Sequence, residues 1–290
     1  MNIRRMKKLI IFAAAALMMA GCGQKTAKGG DNDTTATAGI AAAEVSEDVR
    51  MKPLKTDTVS FDKQEGIYKF GLMAEYPVLG GDSVVKAVRE FINDFLGGAY
   101  DGPLADGKAM VKRNGELMWG NFLEMCGDAD TEEVNELFLY KMVNKAYETK
   151  TFVTFQASVS QYTGGIHGIG YESGHTFSKI NGKRFGYDMM KDLDTPQFKR
   201  LVKEGLRRYF SDEGDGQALS DEALKQELVS FDGDIDDLPL PDFEPYMTEQ
   251  GVTFIYQPYE ISYYAAGKPE FTIPYNVVKP YLTAETIELF

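Results

Sequence analysis

The chain has 290 residues, 43% of them hydrophobic and 26% charged. That is a globular composition, long enough for one large domain or two small ones. The net charge of −13 argues against nucleic acid as a partner, because phosphate binding needs Lys and Arg to release counterions, and it favours solubility and basic partners.

The N-terminus carries the most specific signal. Arg4, Arg5, Lys7 and Lys8 precede an apolar run, Leu9 to Ala20. At about 12 residues that run is short for a membrane span and right for the core of a signal peptide. Ala20, Gly21 and Cys22 follow. Met19-Ala20-Gly21-Cys22 resembles the bacterial lipoprotein signal, whose cysteine is lipidated and becomes the first residue. Met19 stands where leucine is usual. The alternative is a plain secretory peptide. Residues 1–21 are therefore expected to be removed, which takes the net charge from −13 to −17 with the loss of four basic residues. Lipid on Cys22 would attach the chain to a membrane. Gly23 is not the aspartate that retains lipoproteins at the inner membrane, so an outer-membrane location in the cell envelope is expected.

Residues 22–55 are rich in Gly, Thr, Ala, Lys and Asp, and their few apolar residues cannot offset ordering entropy. They read as a flexible tether. An N-terminal α+β part is expected over 56–148 and a C-terminal α+β domain over 149–290.

Thr58–Asp62 and Ile67–Tyr76 read as a hairpin around Gln64-Glu65-Gly66. Val84–Leu96 has the i, i+3/i+4 spacing of an amphipathic helix, stopped by Gly97-Gly98. Within the ambiguous stretch 99–128, a helix is expected around Glu116–Met125. A further helix is expected from Asp130 to about Tyr147, with its acids at the positive end of the dipole and Val134, Leu137, Phe138, Met142 and Val143 inward. The single other cysteine, Cys126, reads as a buried small hydrophobe, with a reactive thiol as the alternative.

Lys150–Gln161 alternates, with Val153, Phe155, Ala157 and Val159 on one face, as a half-buried strand does. Tyr171–Ile180 and Arg184–Tyr187 flank Asn181-Gly182, a type I′ hairpin signal. Asp194-Thr195-Pro196 opens a helix through Tyr209, and Ser220 opens a short one ending near Val229. Residues 232–245 are acidic and proline-containing. Asp232, Asp234, Asp236 and Asp237 lack the spacing of a calcium loop and read as a solvated face. Phe243–Thr248 and Gly251–Gln257 form a hairpin, Tyr259–Gly267 an aromatic loop, Glu270–Ile273 a strand and Pro274–Leu282 a closing helix. Strands and helices without regular βαβ alternation predict an α+β fold with a mostly antiparallel sheet and flanking helices.

Tyr162-Thr163-Gly164-Gly165-Ile166-His167-Gly168 stands between two strand-like runs and holds one of only two histidines. The pattern Tyr-x-Gly-Gly-x-His-Gly, followed by a hairpin with Asn-Gly-Lys, resembles a bacterial extracytoplasmic domain family of unknown function. That family occurs in the outer part of the anti-sigma-V factor, a lysozyme receptor, and beside the catalytic domain of a peptidoglycan deacetylase. Phe243-Glu244-Pro245-Tyr246, Pro258-Tyr259-Glu260-Ile261, Tyr264-Ala265-Ala266-Gly267 and Phe271-Thr272-Ile273-Pro274-Tyr275 extend the resemblance. Tyr76-Pro77-Val78-Leu79 with the following helix is similar to the family's companion N-terminal region. The resemblance covers about 68–96 and 150–282. Neither a sigma-binding segment before the signal nor a deacetylase domain after residue 282 is read, so neither role is expected to transfer whole.

The resemblance implies a lipid-anchored envelope binding or sensing domain, with lysozyme or a peptidoglycan fragment as possible partners. Tyr162, Gly164, Gly165, His167, Tyr259 and Tyr264 are the candidate ligand-binding residues. No catalytic residue, cofactor or metal is assigned. Two other readings stay open. One is a cell-wall-acting or metal-dependent hydrolase using His167, with His175 and Asp188 as possible zinc partners. The other is a structural envelope lipoprotein, in which the imidazole of His167 satisfies buried backbone groups inside a tight glycine loop.

Overall fold

A computed structural model of the chain describes residues 52–127, 134–211 and 219–288. The expected signal peptide, Cys22 and the expected tether up to residue 51 lie outside these residues. Leu54, assigned to the tether by composition, is buried in the core, and β1 begins one residue later.

Five strands make the main sheet, in chain order: β1 (Lys55–Glu65), β2 (Tyr68–Leu79), β3 (Leu137–Glu148), β4 (Phe152–Tyr162) and β5 (Ile169–Ser178). All neighbours are antiparallel except β2 and β3, which run parallel. Parallel strands need a long crossover. Two helices supply it, α1 (Asp82–Phe95) and α2 (Gly107–Cys126). The sheet runs without a break past residue 148, so β4 and β5 continue what β1–β3 begin.

One face of the sheet carries Leu72, Ala74, Leu139, Val143 and Phe155, packed with Val88 and Ile92 of α1 and Phe122 of α2 in a single buried cluster. Cys126 ends α2 in the same cluster as a free, buried cysteine, and burial raises the pKa of its thiol. Opposite, a three-stranded antiparallel sheet forms from β6 (Tyr246–Met247), β7 (Gly251–Ile255) and β8 (Glu270–Pro274). Its core partners include Phe198, Val202 and Leu206 of α3 (Pro196–Phe210). Among the described residues three further short α-helices follow: α4 (Asp221–Glu227), α5 (Tyr275–Val278) and α6 (Ala284–Ile287). The expected α+β class with mostly antiparallel sheets is the observed one.

The small sheet docks on the outer face of β4 and β5 through hydroxyls. Thr154 donates to the Met247 carbonyl at 2.8 Å, and the Met247 amide donates to Thr176 Oγ1 at 2.8 Å. Threonine side chains thus satisfy backbone groups that the two-residue strand β6 leaves over.

Several elements differ from expectation. The helix expected from Asp130 to Tyr147 is strand β3, while Asp130–Glu133 lie outside the described residues. Leu137, Leu139 and Val143 are buried on one side, and Met142 is exposed on the other. Apolar residues on both faces of a central strand blur its period, so helical spacing can be fitted to it by chance. The helix placed at Glu116–Met125 starts at Gly107, capped by the Asp106 carboxylate accepting from the Ala109 amide.

Asn181-Gly182 is not a two-residue type I′ turn. A four-residue loop spans 179–182, closed by the Ser178 amide donating to the Lys183 carbonyl, and only Gly182 has positive φ. Beyond it, Arg184 makes an isolated bridge to Phe177, and Tyr187–Met189 is a 3₁₀ turn where a strand was expected to end. In the acidic loop, Asp236 and Asp237 pair with Lys203 and Lys199 of α3. No helix among the described residues is long and apolar enough to cross a membrane.

Candidate functional site

The glycine motif is the tip of the β4–β5 hairpin. The last rung pairs Gln161 with Ile169, leaving Tyr162–Gly168 to turn the chain. Gly164 and Gly165 both have φ of 102°, a region that side chains strain to enter. Two glycines in succession give a wide, open tip. Tyr162 holds it by donating from its hydroxyl to the Gly165 carbonyl at 2.8 Å. Ile166 stands at the end of the tip with its side chain fully in solvent.

His167 is exposed, contrary to the reading in which it satisfies buried backbone groups. A tip has no interior, so its imidazole finds partners on a second loop. Nδ1 lies 2.8 Å from the Gly168 carbonyl and Nε2 lies 2.9 Å from Tyr259 Oη. A carbonyl only accepts, so Nδ1 carries a proton and donates to it, while Nε2 shares a hydrogen bond with the Tyr259 hydroxyl. The ring also stacks on Tyr264 with centroids 3.9 Å apart, and Tyr264 donates to the Gly168 carbonyl at 2.8 Å. Of the six candidate residues read from the sequence, direct contacts join Tyr162 with Gly165 within the tip, and His167 with Tyr259 and Tyr264 across to the second loop. Gly164 belongs by its backbone.

The second loop is itself clamped. Gln257, not singled out in the sequence, is buried and makes two hydrogen bonds to the backbone of Glu172 on β5, accepting from its amide at 3.0 Å and donating to its carbonyl at 2.8 Å. Lys268 pairs with the Glu172 carboxylate at 2.5 Å. Glu260 accepts from the amides of Gln257 and Asp242, each at 2.6 Å, and its burial raises its pKa. Within this frame Tyr259 has φ of 69°, a conformation that costs a non-glycine residue about 1 kcal/mol or more and persists only when its surroundings impose it. No sequence pattern announces Gln257, because its role depends on β5 being the edge strand beside it.

Between tip and loop lies an open cavity of about 500 Å³ bordered by Phe138, Ser160, Gly168, Tyr264 and Lys268. Tyr259 and Tyr264 remain 50% and 36% exposed although their hydroxyls are engaged, so what they offer a ligand is ring surface.

The model of a family described as a protein of unknown function, DUF3298, matches residues 188–276. That span includes the loop with Tyr259 and Tyr264 and excludes the glycine tip. No curated protein matches the sequence. Solved structures that share the fold include two proteins of that family. A DUF3298 family member from Bacteroides fragilis is 20% identical with a TM-score of 0.63, covering 82% of this chain and 96% of its own. A DUF3298 family protein from Pseudomonas aeruginosa is 16% identical with a TM-score of 0.55, covering 81% of this chain and 97% of its own.

The second histidine does not join the site. His175 points to the helical side, 4.2 Å from the Phe91 ring centroid, with Nε2 bonded to Ser173 Oγ at 2.8 Å. Burial, with Arg184 nearby, lowers its pKa to about 3. Asp188 sits 3.7 Å from Lys183. Among the described residues no three His, Cys, Asp or Glu side chains gather where they could hold a metal ion.

Proposed function

We propose that this chain is a lipid-anchored binding or sensing module of the cell envelope, whose ligand docks on the surface formed by the glycine tip and the tyrosine loop. One observation carries the reading: every side-chain polar atom of His167, Tyr259 and Tyr264 is used to fix the surface, while the residues stay exposed to solvent. A general base needs a free ring nitrogen facing its substrate, whereas a binding surface needs rings held rigid before the ligand arrives. Strain at Tyr259 and the Gln257 clamp fit preorganisation of this kind.

Attachment through Cys22 rests on the lipoprotein-like signal. Incorporation of a clickable fatty acid into the chain, lost in Cys22→Ser, is the expected result; label persisting in that variant refutes the anchor. Ligand choice follows the family resemblance and the acidic charge, which suit a basic protein such as lysozyme or a cell-wall fragment. Titration with both, on the wild-type chain and on Tyr264→Ala, tests the surface. Binding weakened at least about ten-fold by the variant, a typical loss for an aromatic anchor, supports the reading. No binding of either ligand sinks it.

A further inference from the structure

The same sheet face carries a second cavity of about 220 Å³, bordered by Asn144, Gln156, Ser158, Glu172, Tyr246 and Glu270. The strand register shows how it relates to the first. Tyr140, Ser160 and Gly170 form one row across β3, β4 and β5; Met142, Ser158 and Glu172 form the next; Asn144, Gln156 and Gly174 form the third. Even-numbered residues of these strands point away from the helices, as Thr154 and Thr176 show by meeting Met247. Both cavities therefore lie over consecutive rows of one face. From Phe138 to Asn144 the floor is roughly 20 Å long at the rise of an extended strand. Along the β5 side the tyrosine loop with Lys268 borders the first cavity, and Tyr246 with Glu270 borders the second.

Resting on the surface proposed above, we infer that the two cavities form one groove, and that it takes a linear, uncharged oligosaccharide. Three features of the lining select that chemistry. Beside Phe138, Tyr140 and Met142 of β3, the floor carries hydroxyls and amides, from Ser158, Ser160, Asn144 and Gln156, which both give and take hydrogen bonds as sugar hydroxyls do. At the tip end, the Tyr264 ring is held on one face by His167 and lines the first cavity, where the apolar side of a sugar ring can lie against it. Ionic groups are already engaged: Lys268 holds Glu172 at 2.5 Å, and the Tyr246 hydroxyl donates to Glu270 at 3.0 Å. The two carboxylates and one ammonium leave the lining at −1, on a chain of −13, which opposes an anionic ligand. A peptide adding as a strand is disfavoured, because the main-chain groups of β4 are consumed by the β3–β4 and β4–β5 ladders and those of Glu172 on the edge strand β5 are taken by Gln257.

The test is calorimetric titration of the whole chain with the β-1,4-linked tetrasaccharide of N-acetylglucosamine and with cellotetraose, which has hydroxyls only. Three variants accompany it: Tyr264→Ala on the tyrosine loop at the tip end, and Gln156→Leu and Ser160→Val on the floor. Gln156 and Ser160 are exposed, so the floor variants leave the core untouched. Saturable binding of a tetrasaccharide, weakened at least about ten-fold by Tyr264→Ala and by a floor variant alike, is expected. Lysozyme binding that depends on Tyr264 while neither sugar binds overturns the oligosaccharide and leaves the surface standing. Sugar binding lost in Tyr264→Ala but unchanged in both floor variants overturns the groove. Absence of all binding removes this inference and the proposed surface together.

Discussion

His175 makes a sharper solution prediction than His167, because it is buried. Its Nδ1 is buried without a hydrogen-bond partner, and its pKa falls from 6.5 to about 3. Burial penalises the charged ring, so the folded state refuses a proton that the unfolded chain accepts once pH drops below 6.5. Stability contributed by this residue is therefore complete above pH 6.5 and is lost progressively as pH falls through about 3. Near pH 5 the loss is about 2 kcal/mol. Urea midpoints of wild type and His175→Leu between pH 7 and 4.5 check this: the variant is expected to show the flatter profile, whatever its stability at pH 7. Parallel profiles refute it. At this scale the sequence was informative where chemistry is local. Tyr162, Gly164, Gly165 and His167 share one turn, and Tyr259 and Tyr264 share one loop, so each group stood out by composition. Gln257 and Glu172 did not, because their meaning lies in a clamp between distant segments.

Elements with one buried face were legible and elements with two were not. Strand β4 alternates cleanly because the outer positions Gln156, Ser158 and Ser160 are polar. Strand β3 has Phe138, Tyr140 and Met142 on that same face, which removed the alternation and invited a helix. Inward-pointing Lys141 added to the confusion: it lies among core residues and donates to the Phe95 carbonyl at the end of α1 at 2.6 Å, and burial lowers its pKa. The acidic loop shows a related effect. Its charges look solvated in isolation, yet Lys203 of α3 is buried and pairs with Asp221 at 3.1 Å and Asp236 at 2.5 Å, with Arg207 also on Asp221. These pairs tie the loop to α3 more than they stabilise the fold, since the carboxylates are largely exposed. Lys203→Met, which keeps the buried stem, is expected to speed proteolysis within 230–237 several-fold, roughly what freeing a local segment does, with little change in the global melting temperature. Cleavage spread evenly along the chain would count against the anchoring role.

At the scale of the whole molecule, fold class followed from element order, but the arrangement of layers did not. What decides it is where the small sheet meets the large one, and that depends on single contacts between strands far apart in sequence. Gly174 is the clearest. It is buried on the outer face of β5, and a Cβ built there falls onto the Tyr246 ring of β6. Tyr246 cannot simply withdraw, because its hydroxyl is bonded to Glu270 on β8 and burial raises its pKa. A single methyl group at residue 174 therefore presses the two sheets apart or expels the ring that walls the groove. Gly174→Ala is expected to cost about 1–3 kcal/mol, the range for overpacking a filled core. Tyr246→Leu loses ring packing on its own account but makes room for that methyl. In the double variant the second substitution then relieves the first, giving a coupling of about 1 kcal/mol or more, as for residues in direct contact. Urea unfolding of the four proteins measures it. Additive losses would mean that the layers are held elsewhere, by the threonine hydroxyls around Met247, and that the groove wall is free to move without disturbing the fold.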